Sequence, residues 1–302
     1  MTSRFASPLG LGEALELLAA DPAARPVAGG TDLVVGWRQG KRPLPESIVA
    51  IDRVAELAGT RVAEGALVMG ALTTHAWLAT SHEVRLGWTA LADGAAIVGS
   101  PATRGTGTIG GNLMNASPAA DTVAPLLVFE ASLTLRSSGG TRTIPVADLA
   151  TGPGHTSAAA GELLTEVTVP AVPAGGGSAY IRLEYRQAME IAVVGAAAAL
   201  VLADGRITDA RLALTAVAPT IIRVPAAESA LAGASADAAA FVSAARVALE
   251  AARPIDDVRA SADYRRAMLE VVIARTLAAA AARAAGRDVP VPATRWAHGQ
   301  EF

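Results

Sequence analysis

Three features of the sequence predict a two-domain protein of mixed helix and strand. Its 302 residues suit two domains of roughly 100 to 200 residues each. The apolar period switches repeatedly between helical and strand spacing. Residues 170–177, PAVPAGGG, break that pattern with the composition of a linker. Hydrophobic residues make up 52% of the chain but aromatics only 4%, so the core has to be built from Ala, Val, Leu and Ile.

The elements follow in order. Leu11, Ala14, Leu15 and Leu18 fall at helical spacing and predict a helix over 11–20, ended by Asp21-Pro22. Pro26-Val27-Ala28 reads as a short strand and Gly29-Gly30 as a turn. Leu33 to Arg38 then reads as a helix, with Thr31 or Asp32 as its capping residue. Strands are predicted at 47–51 and 66–72, and helices near 74–80 and 88–98. The stretch SPATRGTGTIGGNLMNASPAAD, 100–121, shows neither period over most of its length and predicts a long loop; so long an ordered loop is uncommon, and such a stretch is usually functional or disordered. A helix at 122–129 and strands at 132–137, 141–146 and 163–169 follow. Beyond the linker, 192–202 and 206–217 flank Asp204-Gly205, a hairpin signature. Residues 226–285 read as helices, one starting near Ser261 with Arg265, Arg266 and Arg275 on a solvated or subunit-facing side. Residues 286–302 read as an extended arm.

Composition excludes several functions. Lys+Arg total 25 against 28 Asp+Glu, a net charge of −3, which is not the basic footprint of a nucleic-acid binder. Zero cysteines exclude disulfides, thiolate metal sites, cysteine nucleophiles and cysteine-ligated iron–sulfur clusters in this chain. The longest charge-free apolar stretch of the alanine-rich part, 191–203, falls short of the roughly 20 residues a membrane span needs. Glu13 and Glu16 interrupt any secretory signal. A soluble cytoplasmic protein is expected. His75, His82, His155 and His298 are scattered without metal-ligand spacing, so each is expected on the surface or in a loop.

Two glycine loops carry the chemistry. Gly29-Gly30 before a helix lets backbone amides approach an anion, and the helix N-terminus favours phosphate. An isolated Gly-Gly is more often a plain strand-to-helix turn, and neither a Rossmann GxGxxG nor a Walker loop is present. The Asp32 carboxylate would repel a phosphate, so its amide is the group expected near an anion. A second pair, Gly110-Gly111, is followed by Asn115, Ser117 and Asp121. Two such loops imply two close backbone approaches to one extended ligand, with Asn and Asp suited to sugar hydroxyls. The alternative is a glycine-rich loop with capping residues.

AGGTDL at 28–33, TIGGNLMNASPAAD at 108–121 and IRLEYRQAMEIAVVGAA at 181–197 resemble the FAD-binding medium subunit of the molybdenum hydroxylases, the heterotrimeric relatives of xanthine dehydrogenase and carbon monoxide dehydrogenase. The resemblance covers nearly the whole chain. It implies an α+β fold: a two-subdomain FAD-binding domain of the vanillyl-alcohol-oxidase (PCMH) type over 1–172, with subdomains of about 1–55 and 56–172. A C-terminal domain of antiparallel sheet and helices over 178–285, like that of the carbon monoxide dehydrogenase flavoprotein, and a tail over 286–302 complete it.

Carried onto this sequence, the resemblance implies that Pro26, Val27, Ala28, Gly29, Gly30, Thr31, Asp32 and Leu33 form the pyrophosphate loop. There the amides of Ala28 to Asp32 and the Thr31 hydroxyl are the main contacts. It implies that Thr108, Gly111, Asn112 and Asn115 hold the ADP and ribityl portions and that Asp121 accepts a hydroxyl of FAD. Leu164 resembles the position packed on the isoalloxazine ring and Val98 one near the adenine. Arg182 stands where several relatives carry a lysine near the flavin, keeping the charge but changing the donor geometry, and is expected to stabilise negative charge on the reduced ring. Gly30-Thr31 departs from the Gly-His-Ser pattern of the carbon monoxide enzymes.

The implied function is electron transfer. Substrate is hydroxylated at a molybdopterin site in a large partner subunit, electrons pass through 2Fe-2S clusters of a small partner, and FAD in this chain hands them to an external acceptor. A dimer of heterotrimers is implied. No nicotinamide motif is visible, so NAD, oxygen and a quinone are all compatible acceptors. A stand-alone FAD-dependent reductase or oxidase and a flavin-free scaffold subunit are the alternative readings. The first lacks a clear acid or base, and the intact glycine motifs argue against the second.

Overall fold

In a computed structural model, residues 4–40, 43–186 and 188–297 are described. The N-terminal part packs β1 (Arg4–Ala6), α1 (Leu11–Ala20), β2 (Arg25–Val27), α2 (Thr31–Arg38) and β3 (Ser47–Ala50) around a parallel sheet of order β1-β3-β2. Leu11, Ala14, Leu15 and Leu18, the residues of the predicted stripe, are the buried face of α1.

Next come β4 (Thr60–Ala63), β5 (Ala66–Gly70), β6 (Ser132–Ser137), β7 (Gly140–Pro145), the short pair β8 (Ala150–Gly152) and β9 (His155–Thr156), and β10 (Leu163–Val169). All but the short pair form an antiparallel sheet of order β4-β5-β10-β6-β7. Between β5 and β6 run six helices: α3 (His75–Thr80), α4 (His82–Gly87), α5 (Thr89–Ile97), α6 (Pro101–Thr106), α7 (Ile109–Met114) and α8 (Val123–Val128).

The C-terminal part is an antiparallel sheet of β11 (Gly176–Leu183), β12 (Val194–Ala203), β13 (Arg206–Thr215) and β14 (Ile222–Arg223), in sequential order. Against it pack α9 (Pro225–Leu231), α10 (Ala238–Leu249) and α11 (Ala262–Ala284), followed by α12 (Ala293–Ala297). Ala196 and Ala198 of β12 and Ala279 and Ala280 near the end of α11 are completely buried. Small side chains let helix and sheet approach closely, so the core relies on intimate contact rather than on large rings.

Several expectations are corrected. Neither Thr31 nor Asp32 caps α2: Gly30 is the N-cap, and no side chain caps the turn. The long loop at 100–121 contains α6 and α7, whose N-termini are capped by Ser100 and Thr108; six-residue helices are too short to display a period. The linker ends early, because Gly176 and Gly177 already belong to β11. A Cβ on Gly177 would lie 2.2 Å from the Ala284 amide nitrogen of α11, so this glycine serves helix-on-strand contact. Arg265 is not solvated. It is 3% exposed, donates to the Val193 carbonyl and pairs with Asp257 at 2.7 Å. The arm folds back through α12, with Ala293 wholly buried. His75 is buried, whereas His298 lies outside the described residues. Among those residues no helix is long and apolar enough to cross a membrane, and no cluster of three or more ligands suits a metal.

Candidate cofactor site

The two glycine loops touch. After β2 the chain reaches Ala28 and Gly29, and Gly30 then turns with a left-handed φ of 65° into α2. A Cβ on Gly29 would lie 2.0 Å from the Thr106 carbonyl oxygen at the end of α6, an approach open only to glycine. The Thr31 hydroxyl oxygen lies 3.6 Å from where a Cβ on Gly107 would be. Pro26 and Val27 belong to β2 and are half-buried, as is Leu33 in the first turn of α2, while Asp32 is exposed. A first helical turn with no side-chain cap, beside a second backbone loop, can accept an anion.

The second loop is stitched to the segment after β5. His75 N–H donates to the Gly107 carbonyl (3.1 Å), Ile109 N–H to Thr73 (2.9 Å) and Gly110 N–H to Ala71 (2.9 Å). The Thr108 hydroxyl accepts from Gly111 N–H at 3.0 Å. Asn112 Oδ1 accepts from the Thr122 hydroxyl at 2.7 Å, and Asn115 ends α7 with its amide on the Gly111 carbonyl. Burial, with Arg104 adding, lowers His75 to about 4, so its imidazole is neutral at ordinary pH. Thr73 Oγ1 and His75 Nδ1 are buried there with no hydrogen-bond partner among the described residues. Orphaned polar groups flanking a glycine contact fit a loop that carries a polar ligand.

Asp121 closes the second loop from inside the molecule. Its Oδ1 accepts from the Tyr180 hydroxyl at 2.8 Å and its Oδ2 from Arg182 Nη1 at 2.5 Å. Arg182 also holds Glu184 and the Ile97 carbonyl at the end of α5. Burial pushes Asp121 up to about 6, against the pull of Arg182 and the Tyr180 hydroxyl. The folded chain therefore keeps a proton that the unfolded chain loses near the ordinary 3.8, and this group's contribution to stability falls as pH rises between those values. Asp121→Asn cannot titrate. The difference between wild-type and variant unfolding free energies, from urea titrations, is expected to vary across that window by at most about 1.4 kcal/mol per pH unit and to be flat above it.

Of the other expected residues, Val98 ends α5 and its carbonyl accepts from Arg104. Leu164 sits within the core, where a bulge interrupts the pairing of β10 with β6. The structure thus joins 28–31 to 106–108 and Asp121 to Arg182, and leaves Leu164 facing apolar neighbours. Tyr180, Glu184, Thr73 and Thr106 were not legible as site residues. Asp93 was legible in principle, as a carboxylate inside an otherwise apolar helix.

The chain matches known proteins along its length. Residues 1–172 match the family model described as the FAD binding domain in molybdopterin dehydrogenase, and residues 178–280 match the CO dehydrogenase flavoprotein C-terminal domain. It is 35% identical to the 6-hydroxypseudooxynicotine dehydrogenase complex subunit alpha of Paenarthrobacter nicotinovorans, over 90% of this chain and 92% of that one. It is 32% identical to the xanthine dehydrogenase FAD-binding subunit of Escherichia coli O157:H7, over 92% and 95%. Among solved structures, a chain of carbon monoxide dehydrogenase from Hydrogenophaga pseudoflava, in a form lacking the Mo-pyranopterin moiety of the molybdenum cofactor, superposes with a TM-score of 0.89 at 34% identity, covering 94% of this chain and 98% of that one. Paired glycine loops in contact, an antiparallel C-terminal sheet and agreement over both family domains place the chain among the FAD-binding medium subunits of the molybdenum hydroxylases.

Proposed function

We propose that this chain seats one FAD against the junction of its two glycine loops and works as the flavin-bearing electron-transfer subunit of a molybdenum hydroxylase. The contact between Gly29 and Thr106 carries the reading, because it makes one continuous backbone surface from two loops far apart in sequence. Amides of Ala28 to Asp32 and the Thr31 hydroxyl would hold the pyrophosphate, with Pro26, Val27 and Leu33 shaping the loop. Thr108, Gly111, Asn112 and Asn115 would hold the ADP and ribityl portions, with Val98 toward the adenine, while Leu164, buried in the core, would support the seat from behind rather than touch the ring. Asp121 retains carboxylate lone pairs beyond those used by Tyr180 and Arg182, and would accept a hydroxyl with them. When bound, FAD supplies the redox chemistry between iron–sulfur clusters of a partner and an external acceptor.

The proposed division is a cofactor domain over 1–172 and a C-terminal domain over 178–285, with 286–302 following. The proposed assembly is a dimer of heterotrimers with a large molybdopterin subunit and a small iron–sulfur subunit, working in the cytoplasm. A subunit of a dehydrogenase complex among the relatives supports such partners.

The test is the visible spectrum of the purified full chain before and after FAD is added, with chromatography of whatever cofactor denaturation releases. A flavin spectrum and released FAD in about a one-to-one ratio are expected. A folded chain that neither carries nor takes up FAD would leave the scaffold reading in its place.

A further inference from the structure

The geometry points to Arg182 as a positioning residue that fixes the second glycine loop from the C-terminal sheet, rather than as a cation facing the flavin ring. The inference rests on the proposed seat of FAD for its functional consequence, though not for its structural one.

The Arg182 side chain has no solvent exposure. Its nitrogens are committed in three directions: Nη1 to Asp121 Oδ2 at 2.5 Å, Nε to Glu184 Oε2 at 2.8 Å with Nη2 2.6 Å from the same oxygen, and Nη2 to the Ile97 carbonyl at 3.1 Å. Asp121 ends the segment that begins at Thr108, Ile97 ends α5, and Arg182 itself stands in β11. A single planar guanidinium thus ties the cofactor loop, the preceding helix and the C-terminal sheet together. Tyr180, two residues away on the same face of β11, donates to the other oxygen of Asp121 at 2.8 Å. A lysine keeps the charge, but its single ammonium cannot satisfy three acceptors set in a fixed fork. With its side chain wholly buried and four of its five N–H groups on protein acceptors, this arginine presents no exposed cation to a ligand; it acts on FAD through Asp121.

The test is Arg182→Lys in the full chain, with three readouts. Amide hydrogen exchange in the FAD-free protein is expected to speed up about tenfold or more at Asn112, Asn115, Ala116 and Ala120, whose amides bond within the loop. The amides of the β12–β13 hairpin, in the same domain as the substitution, should keep their wild-type rates. FAD dissociation constants from fluorescence titration are expected to rise about tenfold. The reduction potential of the flavin still bound should match wild type, because no contact to the ring has been altered. Unchanged exchange in the loop, or acceleration spread evenly over the hairpin as well, would overturn the inference. So would a shifted potential at unchanged FAD affinity, which marks direct contact with the ring. If the wild-type chain takes up no FAD, the proposed seat fails, and the exchange data still decide whether Arg182 holds the loop.

Discussion

Replacing Gly29 with alanine is expected to weaken FAD binding by about 100-fold or more, equivalent to about 2.7 kcal/mol, while the chain remains folded. The new Cβ would stand 2.0 Å from the Thr106 carbonyl oxygen and 2.7 Å from its carbon. Both belong to the backbone at the end of α6, so no side chain can rotate away, and the two loops must separate. Overpacking of this kind typically costs about 1–3 kcal/mol of stability, which a domain of ordinary stability survives. The larger loss falls on binding, since the proposed pyrophosphate seat consists of amides whose spacing the contact sets. Gly36 is the control. It lies in the same helix, and a Cβ there would meet nothing within 4 Å; Gly36→Ala should leave FAD affinity unchanged and gain about 0.5–1 kcal/mol from helix propensity. Flavin fluorescence titration and urea unfolding of both variants separate the effects. Wild-type affinity in Gly29→Ala would mean that the loop contact is not where FAD sits.

Much of the fold was legible because period and turn chemistry agree locally. The stripe from Leu11 to Leu18, the strands Ser132–Ser137 and Leu163–Val169 and the Asp204-Gly205 hairpin all appear where the pattern puts them. What escaped is what tertiary structure imposes. The helices α6 and α7 span fewer than two turns each, so only their caps, Ser100 and Thr108, could have announced them. The start of β11 hides in glycines that read as a linker until a helix is seen packed on them. Arg265 has the look of a surface arginine because sequence carries no sign of the Asp257 carboxylate and Val193 carbonyl that bury it.

The site divides in the same way. Both glycine motifs stand out, and family resemblance supplied their roles. Their mutual contact did not stand out, nor did the partners of Arg182, because a backbone approach between distant segments leaves no local mark. Asp121 and Arg182 are 61 residues apart. The chemistry of such a pair depends on which groups surround it: burial raises the pKa of the carboxylate and three protein acceptors share the guanidinium, and neither fact follows from residue type.

The largest effect on stability is expected from Asp93→Ala. Asp93 lies in α5 with no exposed surface, and its oxygens accept from Arg283 Nη1 at 2.6 Å, Arg283 Nη2 at 3.0 Å, Tyr180 N–H at 3.0 Å and Ala293 N–H at 2.9 Å. One carboxylate therefore joins the helix that leads to the cofactor loop with β11, the end of α11 and the start of α12. Alanine would leave the Arg283 side chain, 7% exposed, as a buried charge without its counterion. Breaking such a pair costs about 3–5 kcal/mol, a large share of the roughly 5–15 kcal/mol that holds a typical domain folded. Asp93→Leu combined with Arg283→Met removes both charges and should recover part of that loss. The rest persists, because the Tyr180 and Ala293 amides stay unpaired at about 1–3 kcal/mol each. Urea unfolding of Asp93→Leu, Arg283→Met and the double variant measures the coupling, and additive effects would show that the pair contributes nothing beyond its separate members. Tyr180 gives the result a functional side: its amide is held by Asp93 while its hydroxyl holds Asp121. Loss of Asp93 should therefore loosen the Asp121–Arg182 cluster as well, and Asp93→Ala chains that remain folded are expected to bind FAD less tightly than wild type.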